Sequence, residues 1–198
     1  MGRGTTGVLA GLALLAGAGP ATGQGAGAST TLHILVVNRA HVAPGVLQAA
    51  EDDATEIYRA AGVDARWPNA GPKGLPGDPT VDLTVSIVTG DQTRQMAAHL
   101  DDQVMGHAPG SATERGRMTF VFFDRVQANA DVHRIATSRV LGEVIAHEVG
   151  HLLLPYRSHT PTGIMRAAWD LRSNRLDYFT DEQAASIRRR LDVPKALR

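Results

Sequence analysis

Two histidines and a glutamate at a fixed spacing are the residues of this sequence best suited to do chemistry. His147-Glu148-x-x-His151 lies inside an apolar run at 140–155. Residues four apart share one face of a helix, so the two imidazoles can both reach one metal ion at about 2.0–2.1 Å. Glu148 lies about 100° around the helix from His147. It therefore cannot join the histidines as a ligand, but it can hydrogen-bond a water on the ion, and this spacing is typical of zinc hydrolases.

A third ligand must come from outside this helix, because a catalytic zinc usually takes three protein ligands and keeps one position for water. Pro155 disfavours helical geometry at the residue before it, so the predicted helix ends there. The chain can then fold back and bring His159 beneath the metal. Glu182 and Asp170 are alternatives, although Glu182 also suits the acidic first turn of a later helix.

An apolar helix can also carry histidines for structural reasons alone, as satisfied core or surface residues. We favour the metal hypothesis because three polar side chains in an otherwise apolar helix are costly to bury without partners, and a metal is the simplest compensation. The chain has no cysteine. Any metal must therefore be held by His, Asp or Glu.

The elements that position these residues follow an α/β pattern. Strands are predicted at 31–38, 63–67, 81–88, 103–108 and 118–126, and helices at 44–62, 135–153 and 181–191. The segment 155–177 has no clear periodicity. Thr180, with Gln183 three residues later, predicts a capping box at the start of the last helix. This order of elements predicts one α/β layer domain.

The N-terminal segment has the layout of a secretory signal peptide. Arg3 precedes an apolar run at 8–18, which is shorter than the roughly 20 residues that a membrane span needs. We therefore expect residues 1–28 to be a signal peptide and short linker, residues 29–198 to form the domain, and the protein to be secreted or periplasmic without a stable membrane anchor. The chain carries 20 basic and 20 acidic residues. Its net charge therefore provides no positive field that would attract nucleic acid.

The motif region resembles the metzincin clan of zinc metallopeptidases, in which H-E-x-x-H-x-x-G-x-x-H precedes a turn with a methionine below the metal. The H-E-x-x-H part matches fully. The clan's glycine and third-histidine positions hold Leu154 and Arg157 here, and His159 stands two residues later. The resemblance implies an α+β zincin-like fold, in which a small twisted mixed sheet packs on a backing helix and the H-E-x-x-H helix, followed by a C-terminal helix.

The segment after the motif resembles the methionine turn of the clan. Pro-Thr-Gly-Ile-Met at 161–165 would place Met165 on the floor of the site without touching substrate. Some members use a tyrosine after this turn as an extra ligand or oxyanion donor, a role that would fall to Tyr178. Packing of Tyr178 with Phe179 against the last helix is the interpretation we favour.

A second resemblance lies upstream, at 104–110. This segment is similar to the edge strand of matrixin-type metzincins, where the substrate backbone adds to the sheet as an extra strand. The resemblance implies that Gly106, His107 and Ala108 lie along a bound peptide.

The sequence therefore predicts a secreted zinc-dependent metallopeptidase that acts on peptides or proteins. Zn²⁺ would activate a water, and Glu148 would take the proton and pass it to the leaving amine. The alternatives are a non-catalytic zinc-binding protein on the same scaffold and a zinc hydrolase with a non-peptide substrate. A structural zinc domain would need a fourth ligand, for which His107 is the only residue that suggests itself.

Overall fold

The computed structural model of the chain describes residues 1–2, 30–68, 80–111, 116–169, 171 and 175–193. Apart from Met1 and Gly2, the predicted signal peptide lies outside the described residues. The alternative ligand Asp170 lies outside them as well.

The described part of the chain contains five strands and five helices. The strands are β1 (Thr30–Asn38), β2 (Val63–Arg66), β3 (Leu83–Val88), β4 (Gly106–His107) and β5 (Met118–Phe122), and the helices are α1 (Pro44–Ala60), α2 (Gly90–Met96), α3 (Phe123–His133), α4 (Thr137–Leu153) and α5 (Asp181–Asp192). The sheet order is β2-β1-β3-β5-β4, and only β4 runs antiparallel to its neighbour. The predicted α/β class, with a mixed sheet and a C-terminal helix, is confirmed.

The centre of the sheet is buried on both faces, as is usual for parallel strands. Every residue of β3 is buried. Successive side chains of a strand point to opposite faces, so Ile87 and Val121 belong to the main core beneath α1 and α4. Val88 and Phe122 form a smaller cluster with Ala97 on the other face.

The H-E-x-x-H helix α4 runs through the middle of the main core. Every residue from Val140 to Gly150 is buried. The helix ends at Leu153, as the position of Pro155 predicts. The neighbouring helix α1 is tied to it by a buried hydrogen bond, in which the Tyr58 hydroxyl donates to the Ala146 carbonyl at 3.0 Å.

Some predicted boundaries are wrong. The strand predicted at 118–126 ends at Phe122 and α3 begins at the next residue, because the apolar run continues across the boundary and hides it. Helix α2 was not predicted, and the strand predicted at 103–108 shortens to β4, which ends one residue before Ala108. The capping box of α5 is confirmed, since the Thr180 hydroxyl accepts from the Gln183 backbone N–H at 3.3 Å.

None of the described helices combines the length and the apolarity that a membrane crossing requires.

The contact between α1 and α4 depends on a glycine. A Cβ at Gly142 would lie 2.7 Å from the Ala50 carbonyl oxygen, whereas a Cβ at Gly45 in α1 would meet nothing within 4 Å. We expect Gly142→Ala to lower the free energy of unfolding by about 1–2 kcal/mol, because overpacking costs about 1–3 kcal/mol and alanine's helix propensity returns at most about 1 kcal/mol. Gly45→Ala, the matched control, should be neutral or stabilising. Denaturant unfolding measures both, and equal stability of the two variants would contradict the close packing of the helices.

Candidate metal centre

Three histidines from two parts of the chain meet at one point. His147 and His151 lie on α4, and His159 lies on the segment that follows the helix. One ring nitrogen from each lies within 4.8 Å of the others. The ring centroids of His147 and His159 are 5.4 Å apart, and those of His151 and His159 are 4.7 Å apart. The three histidines that the sequence singled out are thus brought together, in an arrangement that can bind a metal ion.

The orientation of His147 is set by a backbone carbonyl. Its Nδ1 lies 2.7 Å from the carbonyl oxygen of Ile164. Because a carbonyl can only accept, Nδ1 carries the ring proton and Nε2 presents its lone pair to the cluster. In a metal-binding histidine, the ring nitrogen that does not face the metal usually donates its N–H to an acceptor such as a backbone carbonyl.

His151 is held in a similar way by a side chain. Ser158 Oγ lies 3.2 Å from its Nδ1, which leaves Nε2 facing His147. The two Nε2 atoms are 3.0 Å apart. Nitrogens that each lie about 2.0–2.1 Å from a common zinc ion can be at most about 4.2 Å apart, so this spacing allows both to bind one ion.

Burial keeps these rings neutral. It lowers the pKa of His147 to about 4. Burial, followed by the neighbouring His147 and His159, lowers the pKa of His151 to about 3. The pKa of His159, the most exposed of the three, is also lowered by its partial burial. Neutral imidazoles are the protonation state that binds metal ions.

Glu148 is a buried carboxyl group next to the cluster. Its residue is 6% exposed, and burial alone raises its pKa to about 8. Within the described residues, no hydrogen bond or ion pair reaches its carboxylate. Its space is provided by Gly106 of β4, where a Cβ would lie 2.5 Å from Glu148 Cγ. The absence of a side chain at Gly106 is therefore what admits the glutamate.

A tight turn supports the cluster from below. The Thr160 N–H donates to the Met165 carbonyl at 2.9 Å, and the Ile164 N–H donates to the Tyr178 carbonyl at 2.9 Å. Gly163 in this turn has φ +77°, and a Cβ there would lie 2.5 Å from the Tyr178 carbonyl oxygen, so the turn requires glycine. Met165 is fully buried, and its sulfur packs against Gly150 of α4.

A cavity of about 660 Å³ opens beside the cluster, with the three histidines and Glu148 in its wall. It lies between β4 and the segment after α4. Its apolar lining includes Leu100, Val104, Leu152, Leu154, Trp169 and Leu171. The Trp169 ring packs on His147 with centroids 5.1 Å apart. The volume falls in the range of small-molecule binding sites.

Among the described residues, the other candidates from the sequence do not join the cluster. Glu182 is exposed in the first turn of α5 and is not part of the cluster. Tyr178 is 40% exposed and is not among the residues that line the cavity. The aromatic contact to the core comes from Phe179, whose ring lies 5.2 Å from that of Tyr58. His107 lines the cavity but does not join the metal-binding group among the described residues.

Sequence reasoning missed three contributors to the site. Ser158 directly precedes His159, so a hydroxyl near the cluster was foreseeable. Trp169 lies in a segment without periodicity and gave no signal. The Ile164 contact is made by a backbone oxygen, which no residue type reveals.

Neither a comparison with models of known protein families nor a search of curated proteins found a match to this chain. The function is therefore inferred from the geometry of the histidine cluster.

We expect zinc to stabilise the folded chain through this cluster. At a zinc concentration about 100 times the Kd, binding adds about 2.7 kcal/mol, which corresponds to a rise of several degrees in Tm for a domain of this size. His151→Ala should abolish the rise, and a chelator should reverse it in the wild type. His99→Ala, an exposed histidine outside the cluster, is the control and should keep it. A rise that survives in His151→Ala would place the zinc elsewhere.

Proposed function

We propose that this chain is an exported zinc-dependent metallopeptidase related to the metzincins, with His147, His151 and His159 as the metal ligands and Glu148 as the general base. The observation that carries the proposal is the three-histidine cluster beside a buried glutamate that lacks any partner among the described residues. Both belong to the wall of one cavity.

The donor set suits zinc. Three neutral imidazoles without a carboxylate in the cluster match the ligands of catalytic zinc sites and leave one position open. Hard cations such as Mg²⁺ and Ca²⁺ prefer oxygen ligands. A zinc ion held here would supply Lewis-acid activation of a water and of the scissile carbonyl.

Glu148 would hold and move the proton of the reaction. It follows His147 directly on α4, so it lines the cavity without joining the ligand face. Its side chain is confined by Gly106 on one side, which limits the positions that the carboxylate can adopt. A bound cation beside it would lower its raised pKa and favour the carboxylate form. With no competing hydrogen bond among the described residues, that carboxylate would be free to accept a proton from water and to deliver it to a leaving amine.

The edge of the sheet offers a place for an extended peptide. β4 is an edge strand of the sheet, and both of its residues line the cavity. An exposed strand edge can pair with the backbone of an added chain. This position of β4 is the observation that favours a peptide over other substrates of a zinc hydrolase.

Replacing the general base separates an enzyme from a zinc-binding protein. We expect Glu148→Gln to retain zinc, because the residue is not a ligand, and to lower hydrolysis about 10²–10⁴-fold, as loss of a general base typically does. The measurement is cleavage of a mixed peptide library, with the zinc content of both proteins determined by elemental analysis.

The outcomes of this experiment differ for each hypothesis. Cleavage that continues unchanged in Glu148→Gln would remove the residue from the mechanism. A zinc-loaded wild type that cleaves no peptide would favour the non-catalytic protein or a zinc hydrolase of another substrate class.

Gly106→Ala tests the same carboxylate from the opposite side. The added methyl must displace Glu148 or β4, and a misplacement of about 1 Å can cost about 10²-fold in rate. We expect a loss of that order with zinc binding retained, whereas Gly45→Ala should hydrolyse peptides like the wild type. Full activity of Gly106→Ala would show that the fit between Gly106 and Glu148 has no functional consequence.

A further inference from the structure

Gln183 makes contacts that a helix cap does not require. It is 7% exposed. In the capping box of α5, its Oε1 accepts from the Thr180 N–H at 3.0 Å. Its Nε2 donates hydrogen bonds to two acceptors in the segment that follows α4, the Ser158 carbonyl at 3.3 Å and the Thr160 hydroxyl at 3.1 Å.

These contacts require an amide. The Thr180 N–H is a donor and must face an oxygen, whereas the Ser158 carbonyl is an acceptor and must face an N–H. The Thr160 hydroxyl donates its own proton to the Thr162 carbonyl at 2.8 Å, so it accepts from Gln183. A glutamate could complete the capping box, but it has no hydrogen to donate to the other two groups.

The two residues held by Gln183 flank His159. Of the three clustered histidines, His147 is oriented by the Ile164 carbonyl and His151 contacts Ser158. Among the described residues, no hydrogen bond reaches the ring of His159, which is exposed. The position of this ring therefore depends on the backbone on either side of it.

We propose that Gln183 is a positioning residue of the metal centre: its side-chain amide holds Ser158 and Thr160 and so places His159 as the third ligand and the Ser158 hydroxyl beside His151. The inference rests on the metal-binding part of the proposed function and does not depend on peptide hydrolysis.

The chain contains a matched control. Helix α2 begins with the same capping box, in which the Thr89 hydroxyl accepts from the Gln92 N–H at 3.3 Å and Gln92 Oε1 accepts from the Thr89 N–H at 3.1 Å. Gln183 Nε2 bonds to residues outside its own helix cap, whereas the side chain of Gln92 has no such hydrogen bond among the described residues. Gln92→Glu therefore reproduces the effect of the substitution on a helix cap alone.

The experiment measures zinc affinity by competition with a chelator and the visible absorption of the Co²⁺-loaded protein, which reports coordination geometry. Both are recorded well below the melting temperature of each metal-free variant. We expect Gln183→Glu to weaken zinc binding about 10–100-fold, as loss of an outer contact of a metal ligand typically does, and to alter the Co²⁺ spectrum. Gln92→Glu should match the wild type in both. The added negative charge of Gln183→Glu would by itself favour a cation, so charge cannot account for the loss.

Each outcome decides the proposal. Gln183→Glu with wild-type affinity and an unchanged Co²⁺ spectrum would overturn it while leaving the metal site intact. A wild type that binds no metal would overturn both the proposed function and this inference. If Gln183→Glu fails to fold, Gln183→Met decides, with Gln92→Met as its matched cap control: zinc binding weaker than in Gln92→Met supports the proposal, and equal binding overturns it.

Discussion

Burial of α4 is the constraint on which the rest of the structure depends. Polar side chains within a buried helix must find partners inside the protein, because unpaired burial costs free energy. Glu143 and Glu148 show two outcomes on the same helix. Glu143 pairs with Arg139 and accepts from the Asp177 N–H at 3.2 Å, and these contacts offset part of the rise in its pKa that burial causes. Glu148 has no such compensation among the described residues, so burial raises its pKa without opposition.

The described residues between α4 and α5 form no helix or strand, yet they are held by specific hydrogen bonds. Their backbone supplies the Ile164 carbonyl for His147 and closes a turn that only glycine can make at Gly163. Gln183 ties the first part of this segment to α5. Because these bonds join groups distant in sequence or on the backbone, they leave no periodic pattern. The segment that looks least ordered in the sequence is the one that completes the site.

The errors in the predicted elements have local causes. Helix α2 has only seven residues, too few to show a helical period, although Thr89 and Gln92 form the same capping pattern that identified α5. Helix α3 begins inside the apolar run that ends β5, where the Phe122 backbone leaves the extended conformation at ψ 89°. Hydrophobicity cannot mark such a boundary, because both elements bury their side chains in the same core.

The sequence by itself determined the features that arise within a few residues of one another. These are the pairing of His147 and His151 on one helix face, the end of that helix before Pro155 and the cap at Thr180, all of which follow from backbone geometry and short-range hydrogen bonding. Only the tertiary structure decided that His159, rather than Glu182, joins the pair, because that choice depends on how the chain folds back after the helix. The tertiary structure also decided how the rings are oriented and how Gly106 of a distant strand makes room for Glu148. Both depend on packing between segments far apart in sequence, which no local pattern encodes.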